Sequence, residues 1–339
     1  MTGIELRTNN FRILGDACID FKPGLNIIFG PNATGKTSVL EAIGYCLRGR
    51  SFIGSKDSDV VTFGKDTFSL HFSLSADSDV ATDHIQVEWD GRKRVTLNDK
   101  AIRSAKQLVE RFKLVSQNPD SSGIATGSPS KRRDLIDDTA SQMNTGWANT
   151  IVEYKTTVKE RNSLLSSGAS NDTLFSVLTE KIIELGLSLR SIRAEVAGYI
   201  TNNTAPEGIE LFVDDSTELS SANFSRLLYQ ERVRGITLIG PHRDDCYFTL
   251  NDRRVEQFAS TGEARRVLLL VKLAQAKVIT DACGQKPFIL ADDLLAELDD
   301  RNTMYAMEKL HEWPQTILTC ARMPPSNDYN LIEVDQWAR

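Results

Sequence analysis

Long apolar stretches are missing from this 339-residue chain. No run approaches the roughly 18 residues that a bilayer-spanning helix requires, so no membrane partner is expected. Met1-Thr2-Gly3-Ile4-Glu5 carries neither the basic start nor the apolar core of a secretion signal, which makes a cytoplasmic location the expectation. Cysteine is scarce too: Cys18, Cys46, Cys246, Cys283 and Cys320 are scattered, odd in number and without a C-x-x-C pair. That excludes a disulfide framework and a zinc knuckle. His71, His84, His242 and His311 have no ligand spacing either. Positive charge is not in excess. The net charge of −6 argues against broad, nonspecific attraction to phosphate backbones, although local basic faces remain open at Arg92-Lys93-Arg94, Lys131-Arg132-Arg133 and Arg253-Arg254. A short basic run is more often a solvated turn than a contact surface. No internal repeat or low-complexity tract appears, and the 40% hydrophobic content is that of an ordinary globular chain.

What the chain does contain is a glycine-rich loop, Gly30-Pro31-Asn32-Ala33-Thr34-Gly35-Lys36-Thr37, that fits G-x-x-x-x-G-K-[ST]. Leu25-Asn26-Ile27-Ile28-Phe29 before it reads as a buried strand, and Ser38–Ile43 after it as the first turns of a helix. This is the strand–loop–helix context in which backbone N–H groups and a helix N-terminus cradle phosphates. Lys36 is expected to reach the β/γ oxygens and Thr37 to ligate Mg²⁺, so the expected ligand is ATP or a close relative. The natural partner, Phe288-Ile289-Leu290-Ala291-Asp292-Asp293, lies 256 residues downstream of Lys36 (292 − 36). An apolar strand ending in two carboxylates suits a parallel sheet with its acidic end at the ligand crevice. Asp292 is expected to hold the metal and Asp293 to orient or deprotonate the attacking water. A plain strand followed by an acidic helix cap is the competing reading. Asp293 is one methylene shorter than a glutamate in that role, which predicts slow hydrolysis.

Between these motifs, Ala259-Ser260-Thr261-Gly262-Glu263-Ala264-Arg265-Arg266 runs into an apolar helix over 267–279. A Ser-x-Gly turn at a helix N-terminus is a second phosphate-binding device. One P-loop already serves this subunit's nucleotide, so Ser260 and Gly262 are expected to serve that of a second, identical subunit. Ser260 and Glu263 also form the pattern of a capping box, and both uses can coexist.

Phosphate loop, Ser-x-Gly turn, double-acid strand and the Glu297-Leu298-Asp299 loop, in that order, resemble the ATPase head of the ABC/SMC class. Within it the chain resembles the RecF family. The residues that carry this are Asn10-Phe11-Arg12, Gly127-Ser128-Pro129-Ser130-Lys131-Arg132-Arg133 with Asp137, Gly240-Pro241-His242-Arg243-Asp244-Asp245, and Asp292-Asp293 with Glu297-Leu298-Asp299. The resemblance implies an α/β, ABC/SMC-type P-loop head with an inserted short helical arm. It also implies an ATP-dependent homodimer that binds DNA at gaps or single-/double-strand junctions. The mediators RecR and RecO, and indirectly RecA, are its implied partners. By the same resemblance Lys131, Arg132 and Arg133 become the leading DNA contacts. For Gln117 two readings stand: the glutamine of ABC heads that senses metal and water, or, by its spacing to Pro129, a position that is not Gln in RecF proteins. The signature reads Ser-Thr-Gly-Glu where family members often carry Gln or Arg before the glycine. Pro119-Asp120-Ser121 stands where Pro-Glu-Asp is common. No histidine follows Thr316-Ile317-Leu318-Thr319, and Thr319 is the expected stand-in.

The expected domains are 1–125 for the first part of the head, 126–232 for the arm and 233–339 for the rest of the head. Strands are expected at Ile4–Leu6 and Ala17–Phe21. A meander follows over Ser69–Leu74, Ile85–Trp89 and Arg94–Leu97, turning at Asp90-Gly91 and Asn98-Asp99. Arm helices are expected over Arg132–Met143, Asn149–Leu165 and Leu174–Ile200, with a loop at Ser166–Asp172, and a further helix over Phe224–Arg234. A hairpin is expected from Tyr247–Leu250 to Arg254–Phe258. For Gly240–Asp245 two readings stand: a tight turn whose ionic side chains fasten the two lobes together, or Arg243 or His242 placed near phosphate or a subunit interface. An alternative for the whole chain is a soluble ABC-type ATPase acting on a protein partner, with the arm as its docking surface. A phage-defence ATPase with a linked nuclease is disfavoured, because only about 40 residues follow Asp299.

Overall fold

A computed structural model of the chain describes residues 3–75, 82–118, 121–167, 172–215, 217–296, 298, 300–325 and 328–334. The chain separates into two compact units, Met1–Ser121 with Gly284–Arg339, and Ser122–Cys283.

The first unit opens with β1 (Gly3–Phe11), β2 (Gly15–Phe21) and β3 (Gly24–Phe29), then α1 (Lys36–Arg48). The strands β4 (Phe68–Ser75), β5 (Asp83–Trp89), β6 (Lys93–Leu97) and β7 (Lys100–Ala101) follow, then α2 (Ala105–Arg111) and β8 (Leu114–Gln117). Strict alternation in Phe68-Ser69-Leu70-His71-Phe72-Ser73-Leu74 sends every second side chain inward, which is why this stretch pairs as a half-buried antiparallel strand. The resulting sheet runs β2-β1-β4-β5-β6-β7. Asn98 and Asp99 turn its last hairpin with φ of 51° and 63°, as a primed two-residue turn requires. Phe11, Tyr45 and Phe68 meet edge to face with centroids 5.4–6.3 Å apart. They bind the inner face of this sheet to α1, whose Val39, Leu40, Ile43 and Leu47 are fully buried.

The second unit contains α3 (Ser122–Thr126), α4 (Pro129–Met143), α5 (Thr145–Ser167) and α6 (Asp172–Thr204). After them come β9 (Ile209–Asp214), α7 (Ser221–Arg234), β10 (Asp245–Leu250), β11 (Arg253–Arg254), α8 (Val255–Phe258) and α9 (Thr261–Cys283). Helices α5 and α6 are longer than the periodicity indicated; the 33 residues of α6 span about 50 Å at 1.5 Å per residue. The expected loop at 166–172 narrows accordingly, and residues 168–171 lie outside those described. Packing also groups residues 233–283 with the helical segment. β10 pairs with β9 over six residues, from Asp245↔Asp214 to Leu250↔Ile209, and α9 packs on α3, α4 and α6. The hairpin at Asn251-Asp252 forms, but its second strand is two residues long before α8 begins.

A fully buried ionic cluster holds the helices of this unit together. Arg161 donates to Glu231 at 2.6 Å, Thr237 at 2.9 Å and Thr179 at 3.1 Å. The rings of Phe175 and Phe224 lie 4.4 and 5.0 Å from its guanidinium carbon. Each guanidinium nitrogen of Arg161 has an acceptor, the condition under which a buried charge is tolerated.

The chain then returns to the first unit with β12 (Phe288–Ala291), α10 (Asp300–His311), β13 (Gln315–Cys320) and β14 (Asn330–Glu333). These complete a second, parallel sheet of order β14-β3-β13-β12-β8. Its central strands β12 and β13 are buried along their whole length, as expected of a sheet covered on both sides.

Candidate nucleotide-binding site

Parallel pairing places the C-terminal ends of β3, β13, β12 and β8 along one edge, and the site is built there. The P-loop leaves β3 at Phe29 and enters α1 through Gly35, whose φ of 98° is open to glycine and strained for other residues. Lys36 and Thr37 open α1, where the first backbone N–H groups have no intrahelical acceptor and face outward as an anion site. The Lys36 side chain is folded over its own loop, with Nζ donating to the carbonyls of Gly30 at 2.7 Å and Pro31 at 2.6 Å. Those two acceptors hold the ammonium over the loop mouth.

Two strands away, Asp292 directly follows β12 and is 5% exposed. Thr37 Oγ1 donates to its Oδ2 at 2.7 Å, and Thr319 Oγ1 on β13 donates to its Oδ1 at 2.5 Å. The same Thr319 hydroxyl accepts the Asp293 N–H at 2.9 Å. Asp293 sits at φ 52°, a left-handed conformation uncommon outside glycine, so the threonine restrains a strained backbone at the second carboxylate. Gln117 ends β8 opposite Ala291, and its carbonyl accepts the Asp292 N–H at 2.9 Å. Thus residues distant in sequence meet at one sheet edge: 30–37, 117, 292–293 and 319. Glu297 and Asp299 lie outside the described residues, as do Pro119 and Asp120.

Behind the loop, Arg12 forms a bidentate pair with buried Glu41 on α1 at 2.8 and 3.0 Å, and donates to the Asp59 carbonyl at 2.9 Å. Asn10-Phe11-Arg12 thereby fastens the antiparallel sheet to the P-loop helix. Nothing in the local pattern pairs Arg12 with Glu41, 29 positions away, and this contact was not anticipated.

In the second unit, Ser260 and Glu263 form the capping box reciprocally. The carboxylate accepts from Ser260 N and Oγ, each at 2.8 Å, and Ser260 Oγ accepts the Glu263 N–H at 3.3 Å. Ser260 and Gly262 are exposed at the start of α9. A Cβ added to Gly262 would meet nothing within 4 Å, so packing within the chain does not demand this glycine.

The basic triplet requires a correction. Arg132 is only 2% exposed. It donates to the Cys246 carbonyl and, at 2.7 Å, to that of Gly127, while Arg133 donates to the Asp244 carbonyl at 2.6 Å. These two arginines brace the 240s loop, Arg132 buried and Arg133 half-buried, and only Lys131 of the triplet is fully exposed. The turn at Gly240–Asp245 is fastened by ionic side chains of its own unit. Arg190 grips Asp244 at 2.7 and 2.8 Å, and Arg193 donates to the Pro241 carbonyl at 2.5 Å and to Asp137 at 2.9 Å. A Cβ at Gly240 would lie 2.5 Å from Tyr154 Oη, so only glycine fits. Tyr154 Oη is 2.8 Å from His242 Nδ1, and His242 Nε2 is 3.1 Å from the Thr237 carbonyl. A carbonyl can only accept, so Nε2 carries the proton and Nδ1 accepts from the tyrosine. Burial pushes the His242 pKa down, in keeping with a neutral ring. Two of the motifs behind the family resemblance are therefore two halves of one internal brace.

Comparison with known proteins agrees with this geometry. A family model described as an AAA domain matches residues 5–227. The DNA replication and repair protein RecF of Symbiobacterium thermophilum is 30% identical, covering 98% of this chain and 93% of that relative. A solved structure of the recombination mediator protein RecF with ATP, described within the RecFOR pathway, superposes with a TM-score of 0.83 at 26% identity, covering 98% of this chain and 95% of that one. An Smc head bound to the C-terminal winged-helix domain of ScpA superposes at 0.52 with 16% identity, a likeness of fold alone.

Proposed function

The chain belongs to the RecF family, and on that premise we propose that it is an ATP-driven clamp acting in DNA replication and recombinational repair. In this reading, ATP at residues 30–37 of one protomer is completed by Ser260 and Gly262 of a second. The pair closes on DNA at a gap or single-/double-strand junction, and hydrolysis reopens it. RecR and RecO are the partners with which it would help load RecA.

The observation that carries the proposal is the hydrogen-bonded series Thr37–Asp292–Thr319–Asp293 at the mouth of the P-loop. Its hydroxyl and carboxylate are hard oxygen donors 2.7 Å apart, a set that fits Mg²⁺. Thr37 and Asp292 would hold that ion, which when bound neutralises phosphate charge. Lys36 exchanges its two loop carbonyls for β/γ-phosphate oxygens. Gly30, Pro31, Asn32, Ala33, Thr34 and Gly35 offer backbone to the phosphates. Asp293, restrained by Thr319, orients the attacking water, and Gln117 lies one strand away to sense it. The short reach of Asp293 predicts slow turnover. The open space beside Gly262 supports the trans contact, since it leaves room for phosphate to approach the α9 N-terminus.

The test is light scattering of the protein with no nucleotide, ADP or ATP·Mg²⁺, each with and without a gapped duplex. Wild type should dimerise with ATP, and Asp293→Asn should remain a closed, DNA-bound dimer. An Asp293→Asn protein that stays monomeric with ATP ends the composite-site argument. A monomer that hydrolyses ATP without DNA stimulation points instead to an ATPase acting on a protein partner.

A further inference from the structure

The turn between β1 and β2 is strained, and it is held from several sides. Arg12 sits at φ 52°, a left-handed conformation that persists in a non-glycine residue only where its surroundings over-determine it. Its guanidinium grips Glu41 at 2.8 and 3.0 Å and also donates to Ser55 Oγ at 2.5 Å and the Asp59 carbonyl at 2.9 Å. Its backbone is engaged as well. The Arg12 N–H donates to the Val60 carbonyl at 2.7 Å, and the Arg12 carbonyl accepts from the Thr62 hydroxyl at 2.7 Å. Glu41, only 1% exposed, accepts a further bond from Ser51 Oγ at 2.6 Å. The connection between α1 and β4, residues 49–67, thus spends Ser51, Ser55, Asp59, Val60 and Thr62 on one arginine and its carboxylate partner.

Attachment of the sheet to α1 does not call for so much. Phe11, Tyr45 and Phe68 already join the two, with the buried apolar side chains of α1. What the strained turn does in addition is cover the phosphate loop. A Cβ added to Gly35 would lie 3.0 Å from Ile13 Cγ2 and 3.1 Å from Leu14 Cδ2, so the two residues after Arg12 rest against the last glycine of the loop.

We propose that Arg12 and Glu41 are positioning residues for nucleotide binding, fixing the β1–β2 turn so that Ile13 and Leu14 hold Gly35 in the conformation that receives phosphate. This rests on the reading of residues 30–37 as the ATP site. Glycine has the widest backbone freedom of any residue, so a loop with Gly35 at φ 98° keeps one shape only if something outside it gives support. A loop that is competent part of the time binds its ligand more weakly in proportion to that fraction. The partners of the Arg12–Glu41 pair are Ser51, Ser55 and Asp59, apart from Lys36 and from the series Thr37–Asp292–Thr319–Asp293. The pair therefore acts on affinity and leaves the chemical step alone.

The experiment is equilibrium binding of a fluorescent ATP analogue to the full-length protein in Mg²⁺, with steady-state ATP hydrolysis on the same preparations. Arg12→Met with Glu41→Met removes the pair without stranding a buried charge, an exchange that is often neutral for stability. This double variant should bind the analogue at least about fivefold more weakly, while kcat at saturating ATP stays within about twofold of wild type. Ile13 is 66% exposed, so Ile13→Ala should melt like wild type; by removing one of the two groups on Gly35 it should weaken binding at least about threefold. If the double variant melts well below wild type, Ile13→Ala alone decides the matter. Wild-type affinity in both variants overturns the proposal, and so does a fall in kcat at unchanged affinity. A loss confined to a well-folded double variant refutes the route through Gly35. A wild-type protein that binds no analogue would instead remove the reading of residues 30–37 on which the proposal rests.

Discussion

Thr319→Val removes one hydroxyl from the fully buried centre of the site and replaces it with a methyl of similar size. Two bonds vanish: the 2.5 Å donation to Asp292 Oδ1 and the 2.9 Å acceptance from Asp293 N. A hydrogen bond to a carboxylate contributes about 1.5–3 kcal/mol and a neutral one about 1 kcal/mol, so the variant should lose about 2–4 kcal/mol of stability. The functional consequence is separate. Asp293 is held at φ 52°, which costs a non-glycine residue about 1–3 kcal/mol and persists only under restraint. Releasing that restraint lets ordinary conformers compete, so kcat should fall by about 5- to 150-fold. The Lys36 contacts and the P-loop backbone are untouched, so affinity for ATP should change by less than about threefold. Steady-state ATP hydrolysis, alongside binding of a fluorescent ATP analogue, separates the two quantities. Thr319→Ser, which restores the hydroxyl, should recover most of the rate. If Thr319→Val turned over at the wild-type rate, or lost ATP binding and hydrolysis in equal measure, the positioning argument would be wrong.

Arg132→Met should act on folding rather than on DNA. It leaves the Cys246 and Gly127 carbonyls without their donor, at about 1–3 kcal/mol each. Urea denaturation should show a loss of about 2–6 kcal/mol; unchanged stability with lost DNA affinity would restore Arg132 as a contact. The Tyr154–His242 pair predicts a pH effect. Burial lowers the His242 pKa below its ordinary 6.5, so the unfolded chain takes up this proton at higher pH than the folded one. Its contribution is therefore complete above about pH 6.5 and is lost as pH falls from there through the lowered folded value. Denaturation midpoints measured between pH 7.5 and 5.5 should decline, and His242→Gln should flatten that decline. Equal slopes in the two proteins would rule the histidine out as its source.

The phosphate loop was legible because its chemistry is local. Lysine, hydroxyl and glycines must fall within eight consecutive positions, and flanking apolar runs declare strand and helix. The same holds for the acidic strand at 288–293, the Ser260–Glu263 cap, the Asn98-Asp99 turn and the alternating strand at 68–75. Each is a short-range pattern set by backbone geometry. Thr319 was nameable only as a substitute for something missing, since a threonine ending an apolar strand looks like any other until β13 is laid between β3 and β12.

Charged residues were legible as charges but not as roles. Lys131-Arg132-Arg133 reads as a surface patch because a sequence records that a side chain is cationic and not which way its helix faces. Burial of Arg132 is decided by α4 packing beneath β10, more than a hundred residues away in sequence. Likewise Arg12–Glu41, Arg161–Glu231 and Arg190–Asp244 are pairs that only long-range packing could choose. By itself, then, the sequence determined the nucleotide chemistry and the two-part sheet that carries it, since both rest on local periodicity and spacing. The tertiary structure decided which cations brace the interior and which face solvent, because burial depends on neighbours that the chain brings together only when folded.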